Sequence, residues 1–148
     1  MQINILSPGK FKTHQEHKKI FEYYKKRIKI KVNLLELKLH QTDKKLDLEK
    51  KEILKYLKKD DYVFILDKNG DNLSSINFSK ILREKVENNR KNIDFIIGSD
   101  AGLDNYFNNS FRNIGFGKQT WPHLLVRVML IEQIYRAFEI MKRSGYHK

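Results

Sequence analysis

Cysteine is absent from the 148 residues, so disulfides and thiolate-bound metals are excluded. The absence agrees with a reducing, cytoplasmic setting. Long apolar runs are missing too: none reaches the roughly 18 residues that a bilayer-spanning helix needs. The opening residues 1–10 (MQINILSPGK) hold an apolar run of only about five residues and lack a basic start, so they read as a strand rather than a signal peptide. Acidic side chains are scarce relative to basic ones, 18 against 30, which leaves a formal net charge of +12. Such an excess favours polyanions, either nucleic acid or an anionic membrane. A Lys-rich composition also follows from an AT-rich genome, so charge alone does not fix the partner. Residues 1–60 carry 17 Lys/Arg against 8 Asp/Glu, and residues 61–148 carry 13 against 10, so the basic surface belongs mainly to the first part of the chain.

Apolar residues make up 40% of the chain, enough to build a core for a single domain spanning residues 1–148. Strand and helix patterns alternate. Residues 2–6 form a short apolar strand ended by Ser7-Pro8-Gly9. Residues 13–27 have helical spacing, with Ile20, Phe21, Tyr24 and Ile28 recurring at three- and four-residue steps. Residues 31–39 alternate as a strand does, residues 40–47 are polar, and 48–57 are helical. The uninterrupted apolar run at 62–66 (YVFIL) predicts a strand covered on both faces, as in parallel sheets, and 93–97 (IDFII) reads as a second strand of the buried type. Residues 67–75 read as a turn, with Ser74 or Ser75 capping a helix that runs to about residue 89. A loop at 98–102, a short helix at 103–111 and an irregular stretch at 113–120 follow, and a helix starting at Pro122 runs to about residue 143, ended by Gly145. This order predicts an α/β fold with a largely parallel sheet.

Four of the seven glycines, Gly98, Gly102, Gly115 and Gly117, fall within 20 residues. Gly98 directly follows a buried-type strand, the place where open α/β sheets bind ligands. Tight turns would need the same glycines. The ligand is not declared by a fingerprint: residues 98–102 are not GxGxxG, and Gly117-Lys118-Gln119-Thr120 lacks the Ser or Thr directly after Lys that a P-loop requires. The last helix is apolar around nearly its whole circumference, which calls for burial on several sides and suggests a second subunit. Glu132 and Arg136 are four apart and can pair; Arg127 and Arg136 meet either carboxylates of the chain or an anionic ligand. The five histidines form no metal-ligand spacing, and no Ser-His-Asp or paired-carboxylate arrangement emerges.

The segments Phe95-Ile-Ile-Gly-Ser-Asp-Ala-Gly-Leu103 and Trp121-Pro-His-Leu-Leu-Val-Arg-Val-Met-Leu-Ile-Glu-Gln-Ile-Tyr-Arg-Ala-Phe138, with the ending Gly145-Tyr-His-Lys148, resemble the ribosomal RNA large subunit methyltransferase H family of the SPOUT superfamily. The opening residues 1–10 and Leu66-Asp67 followed by Gly70 fit as well, so the resemblance covers the whole chain. It implies a SPOUT-type parallel-sheet α/β/α domain with a C-terminal trefoil knot, an exception to the rule against threaded chains. It further implies a homodimer with sites at the interface, and methyl transfer from S-adenosyl-L-methionine to N3 of a pseudouridine in 23S rRNA of the assembled 70S ribosome, with no metal and no membrane.

By matching position the resemblance assigns cofactor contacts to Leu66, Gly98, Phe116, Gly117, Lys118, Gln119, Thr120 and Trp121, with Leu66 and Trp121 walling the adenine. The cofactor would be held largely by backbone groups, which accounts for the missing nucleotide fingerprint. Catalysis is assigned to His147 as general base, Tyr146 as a stacking platform and Arg136 as phosphate ligand or assistant. A frayed terminus is the plainer reading of that tail. Two departures stand out: Ser99 where the family often has glycine, and Trp121 where Leu or Phe is usual. Lys10, Lys12, Lys18, Lys25, Lys26 and Arg27 are expected to make non-specific, salt-sensitive rRNA contacts. The competing class is a non-catalytic basic ribosome- or RNA-binding module.

Overall fold

The runs 62–66 and 93–97 lie in neighbouring strands of one sheet. The structure, a computed structural model, describes residues 1–12, 14–88 and 91–148. The expected helix start at residue 13 and helix end at residue 89 lie outside the described residues. In chain order the elements are β1 (Ile3–Pro8), α1 (Gln15–Lys25), β2 (Val32–Leu37), α2 (Lys45–Leu54), β3 (Tyr62–Asn72), α3 (Ser75–Asn88), β4 (Ile93–Ile97), α4 (Asn105–Ser110), β5 (Arg112–Gly115) and α5 (His123–Lys142). The sheet order is β2-β1-β4-β3-β5 and every pairing is parallel. Parallel neighbours need crossovers, which the helices supply. β1 and β4 are buried along their whole length, as expected of inner strands with both faces covered.

Alternation along the strands divides the core into two layers. Ile3, Ile5, Phe64 and Phe95 point to one face and meet Phe21 of α1, Phe78 and Leu82 of α3, and Leu130, Ile131 and Ile134 of α5. Leu6, Ile65 and Ile96 point to the other face and meet Ile53 of α2 and Phe107 of α4. The chain is therefore an α/β protein with helices on both sides of a parallel sheet, as the alternating pattern predicted.

Three departures from the sequence expectation are instructive. β3 runs to Asn72 although residues 67–72 (DKNGDN) are polar turn formers. Residues 113–115, part of a stretch expected to be irregular, belong to β5. The two departures share one cause: Ile114 registers with Leu66 and again with Asp71, so a bulged β3 curls around β5 and backbone pairing substitutes for side-chain pattern. The approach is close. A Cβ on Gly70 would stand 2.6 Å from the Ile114 nitrogen, and one on Gly115 would stand 2.8 Å from the Asp67 carbonyl oxygen. Third, α5 stops before Gly145. Arg143 takes the left-handed conformation (φ 56°), and the Ser144 amide closes back on the Glu139 carbonyl at 3.1 Å. Ser74, one of the two expected caps, accepts from the Asn77 amide at 3.1 Å.

Candidate functional site

Because all strands are parallel, the segments after β4 and β5 and the bulge of β3 emerge on one edge of the sheet. They enclose a cleft of about 720 Å³ bounded by residues 66–69, 97–103, 115–117 and 119–123, with Val126 of α5 closing the floor. This is the carboxyl edge, where doubly covered α/β sheets hold ligands. Of the residues expected to contact a cofactor, Leu66, Gly98, Phe116, Gly117, Gln119, Thr120 and Trp121 line the cleft, and Lys118 does not.

The walls are held by specific contacts. The Trp121 indole N–H donates to the Phe116 carbonyl at 3.1 Å, bridging the loop that precedes α5, and the Gly117 amide donates to Asn72 Oδ1 at 3.2 Å. Gly98 packs so tightly on the Gly102 backbone that a Cβ would stand 2.7 Å from its carbonyl carbon and oxygen. The Gly102 amide returns to the Ser99 carbonyl at 2.9 Å, coiling this loop over the Ser99 side chain. Helix α2 grips the loop from behind through three polar links: Lys45 to Asp100 at 2.6 Å, Ser99 Oγ to Glu49 Oε2 at 3.1 Å, and Lys50 to Asp104 at 3.2 Å. The hydrogen bond and charge of Lys45 hold the Asp100 carboxyl below its ordinary range, and burial pushes the Glu49 carboxyl up. His123 lines the cleft beside Arg127, and burial there lowers its basicity.

Arg127 resolves the alternatives left by the sequence in favour of structure. It is fully buried, pairs with Glu36 at 3.2 Å, and donates to the carbonyls of Pro8 and Gly9 at 2.8 and 2.9 Å. It ties the end of β1 to β2 and α5 and does not line the cleft.

Arg136, Tyr146 and His147 form a separate cluster on the C-terminal half of α5. Arg136 Nε donates to Glu132 Oε1 at 2.9 Å, and the Tyr146 hydroxyl donates to the same oxygen at 3.0 Å. Arg136 Nη1 lies 3.3 Å from His147 Nδ1, and its guanidinium stands 4.7 Å over the Tyr146 ring. The tail is thus folded onto its own helix. None of the three residues lines the cleft. Along α5, Val126 and Arg136 are separated by roughly 15 Å at 1.5 Å per residue.

Of the expected rRNA-binding cations, Lys10, Lys12, Lys18, Lys26 and Arg27 are exposed, while Lys25 is half-buried and pairs with Glu22 at 3.5 Å. Sequence reasoning missed Asp67, Leu103 and His123 as lining residues; their positions just after strand ends or at the start of α5 were the available signal. It also missed the grip of α2, for which nothing in the local pattern gives a sign. Among the described residues no group of three or more His, Cys, Asp or Glu is placed to hold a metal ion, and no helix is long and apolar enough to cross a membrane.

Fold and cleft together define an α/β protein with a cleft of small-molecule size, walled by backbone turns, at the carboxyl edge of a parallel sheet. The sequence profile of the family described as predicted SPOUT methyltransferase matches residues 1–147, and the chain belongs to that family. Its relatives narrow the group. It is 43% identical over 155 residues to a protein of Mycoplasmopsis synoviae (strain 53) named ribosomal RNA large subunit methyltransferase H, each chain being covered in full. Proteins of the same name from Caldicellulosiruptor bescii and Enterococcus faecalis are 39% and 36% identical, with 99% and 100% of both chains covered.

Proposed function

We propose that this protein is an S-adenosyl-L-methionine-dependent methyltransferase that modifies N3 of a pseudouridine in 23S rRNA, acting on the 70S ribosome in the cytoplasm. One observation carries the reading: the turns that a methyl-donor site would need converge on a single cleft, in a chain that matches over its full length relatives named for methylating large-subunit ribosomal RNA. The cleft fits such a ligand. Its volume, about 720 Å³, is within the range of small-molecule sites. Leu66, Phe116 and Trp121 offer apolar walls, and the turns at 98–102 and 115–121 offer backbone groups for a bent, polar ligand. Lys118 lies outside the lining, so in this reading its side chain serves the rim rather than the contact itself.

When bound, the sulfonium cofactor supplies an already activated methyl group. The chain must align the target base and accept the proton that leaves N3 as the N–CH₃ bond forms. Alignment alone lowers such barriers by several kcal/mol. His147 is the proton acceptor in this reading, with Tyr146 stacking on the base and Arg136 holding a phosphate or orienting the imidazole. Within one chain these groups sit on the far half of α5 from the cleft. A homodimer brings them together, the tail of one protomer reaching the cleft of its partner. The half-buried apolar residues Leu124, Leu125, Phe138, Ile140 and Met141 of α5, and exposed Ile20 of α1, support such a contact.

The curl of β3 around β5, with Gly70 and Gly115 at the points of closest backbone approach, supports a trefoil knot in which residues 66–72 form the loop that the later chain threads. The exposed cations of residues 10–27 supply the rRNA contact.

The deciding experiment supplies purified protein and radiolabelled S-adenosyl-L-methionine to 70S ribosomes from a strain lacking this modification, then maps the methylated base. Label at N3 of a single 23S pseudouridine is the expected outcome. No incorporation, together with no cofactor binding by calorimetry, would leave the non-catalytic RNA-binding module.

A further inference from the structure

Helix α2 contributes no residue to the lining of the cleft, yet it carries the most deeply buried acid next to it. Glu49 is 2% exposed, and its Oε2 accepts the Ser99 hydroxyl at 3.1 Å. Its Oε1 has no hydrogen-bond partner among the described residues. A carboxylate in an apolar setting is costly, and burial accordingly raises its affinity for a proton; the Ser99 hydroxyl, the Lys45 ammonium and the His40 amide offset part of that cost. An apolar side chain would fill the space without the cost. What the acid holds explains its presence. Ser99 is itself 6% exposed, lines the cleft, and stands at the centre of the coil made by Gly98 and Gly102.

Of the two flanking links, Lys50–Asp104 holds the start of α4 rather than residues 98–102, and Lys45–Asp100 is the weaker anchor. Asp100 is 79% exposed in its pair with Lys45, and pairs open to water contribute little. A buried hydrogen bond to a charged group is different, because losing either partner leaves the other buried and unsatisfied. We propose that Glu49 is a positioning residue of the cofactor loop: through the Ser99 hydroxyl it fixes the backbone of residues 98–102 in the conformation that receives the ligand. That conformation is then formed before binding, so less ordering is required of the ligand. The proposal rests on the reading of the cleft as the S-adenosyl-L-methionine site.

The test separates the loop from the ligand. Amide hydrogen exchange of the cofactor-free, full-length protein is compared for wild type, Ser99→Ala, Glu49→Ala and Glu49→Gln. Exchange at residues 99–103 rises at least tenfold in the two alanine variants and stays near wild type in Glu49→Gln, whose amide oxygen still accepts from Ser99, while β1 and α3 are unchanged. Calorimetric titration with S-adenosyl-L-methionine then shows a 5- to 30-fold weaker Kd in the alanine variants, with the cofactor KM raised likewise and kcat within twofold. If Glu49→Ala does not fold, Ser99→Ala gives the same comparison without leaving a cavity at the acid. Unchanged loop exchange in Ser99→Ala, or a uniform loss of protection throughout the protein, overturns the proposal. Loop exchange that follows Glu49 in a protein that binds no S-adenosyl-L-methionine upholds the link between the two residues and refutes the cofactor assignment instead.

Discussion

Asn4, Asn33 and Asp94 each occupy the second position of their strand, near the amino edge of the sheet, and they form one chain of hydrogen bonds: Asn33 donates to Asn4 at 2.9 Å and Asn4 to Asp94 Oδ1 at 2.7 Å, while Asp94 Oδ2 has no hydrogen-bond partner among the described residues. At the carboxyl edge of the same strands the chain has glycine turns, a cleft of about 720 Å³, and backbone groups facing open space. One end uses side chains to close the sheet and fix its register. The other uses glycine turns, which bring backbone groups to the wall of the cleft. The comparison teaches where to look for stability and where for binding, since perturbing each end should move one and spare the other.

The largest expected effect sharpens the carboxyl-edge half. Removing residues 146–148 should lower methyl transfer to ribosomes at least about a hundredfold, the usual contribution of a general base, while leaving the Kd for S-adenosyl-L-methionine unchanged. Unchanged activity with intact cofactor binding rejects the role of the tail.

Next comes Gly98→Val, which places a side chain into the Gly102 backbone. Cofactor affinity should fall by roughly a hundredfold, about 2.7 kcal/mol, in calorimetric titration. A variant that still binds at wild-type strength would break the claim that this edge works by backbone approach.

At the amino edge the expected change is in stability. Asp94 is fully buried, and burial pushes its carboxyl up from the ordinary 3.8 to about 6 despite the Asn4 hydrogen bond. The folded state therefore holds its proton more tightly than the unfolded chain does. Wild-type stability is greatest below pH 4 with respect to this group, declines as pH rises from about 4 to about 6, and stays lower above. Asp94→Asn keeps the acceptor for Asn4 and removes the charge. It should stabilise the protein by on the order of 2 kcal/mol at pH 8 and by almost nothing at pH 4, in urea titrations at the two pH values. A gain that is equal at both would show that desolvation of the carboxylate is not the cause. Cofactor affinity should not change.

The smallest effect belongs to Trp121→Phe. The ring still walls the cleft, but the hydrogen bond to the Phe116 carbonyl is gone. A neutral hydrogen bond is worth about 1 kcal/mol, so a loss of roughly threefold to fivefold in cofactor affinity is expected by calorimetry.

Much of this contrast was legible before folding was considered. The runs at 62–66 and 93–97 identified neighbouring inner strands because a strand covered on both faces is mostly apolar, Asp94 being the exception. The glycine cluster between residues 98 and 117 marked the turns that wall the cleft, because those positions are crowded or require left-handed backbone. β5 was illegible: its four residues pair with Phe64, Ile65 and Leu66 and then, past the bulge, with Asp71 and Asn72, and a backbone ladder leaves no trace in side-chain periodicity. Arg127 and Arg136 looked alike in sequence, and burial alone distinguishes the structural clamp from the half-exposed tail partner.

By itself the sequence determined the order of the strands and helices other than β5, the basic first part and the glycine corner, because period, charge and steric permission are properties of neighbours along the chain. Only the tertiary structure decided that β3 curls around β5, that Glu49 reaches Ser99 across 50 residues, and that the tail lies on α5 away from the cleft of its own chain. These are meetings of distant segments, fixed by how backbone hydrogen bonds and buried charges are satisfied in three dimensions, and local pattern carries no record of them.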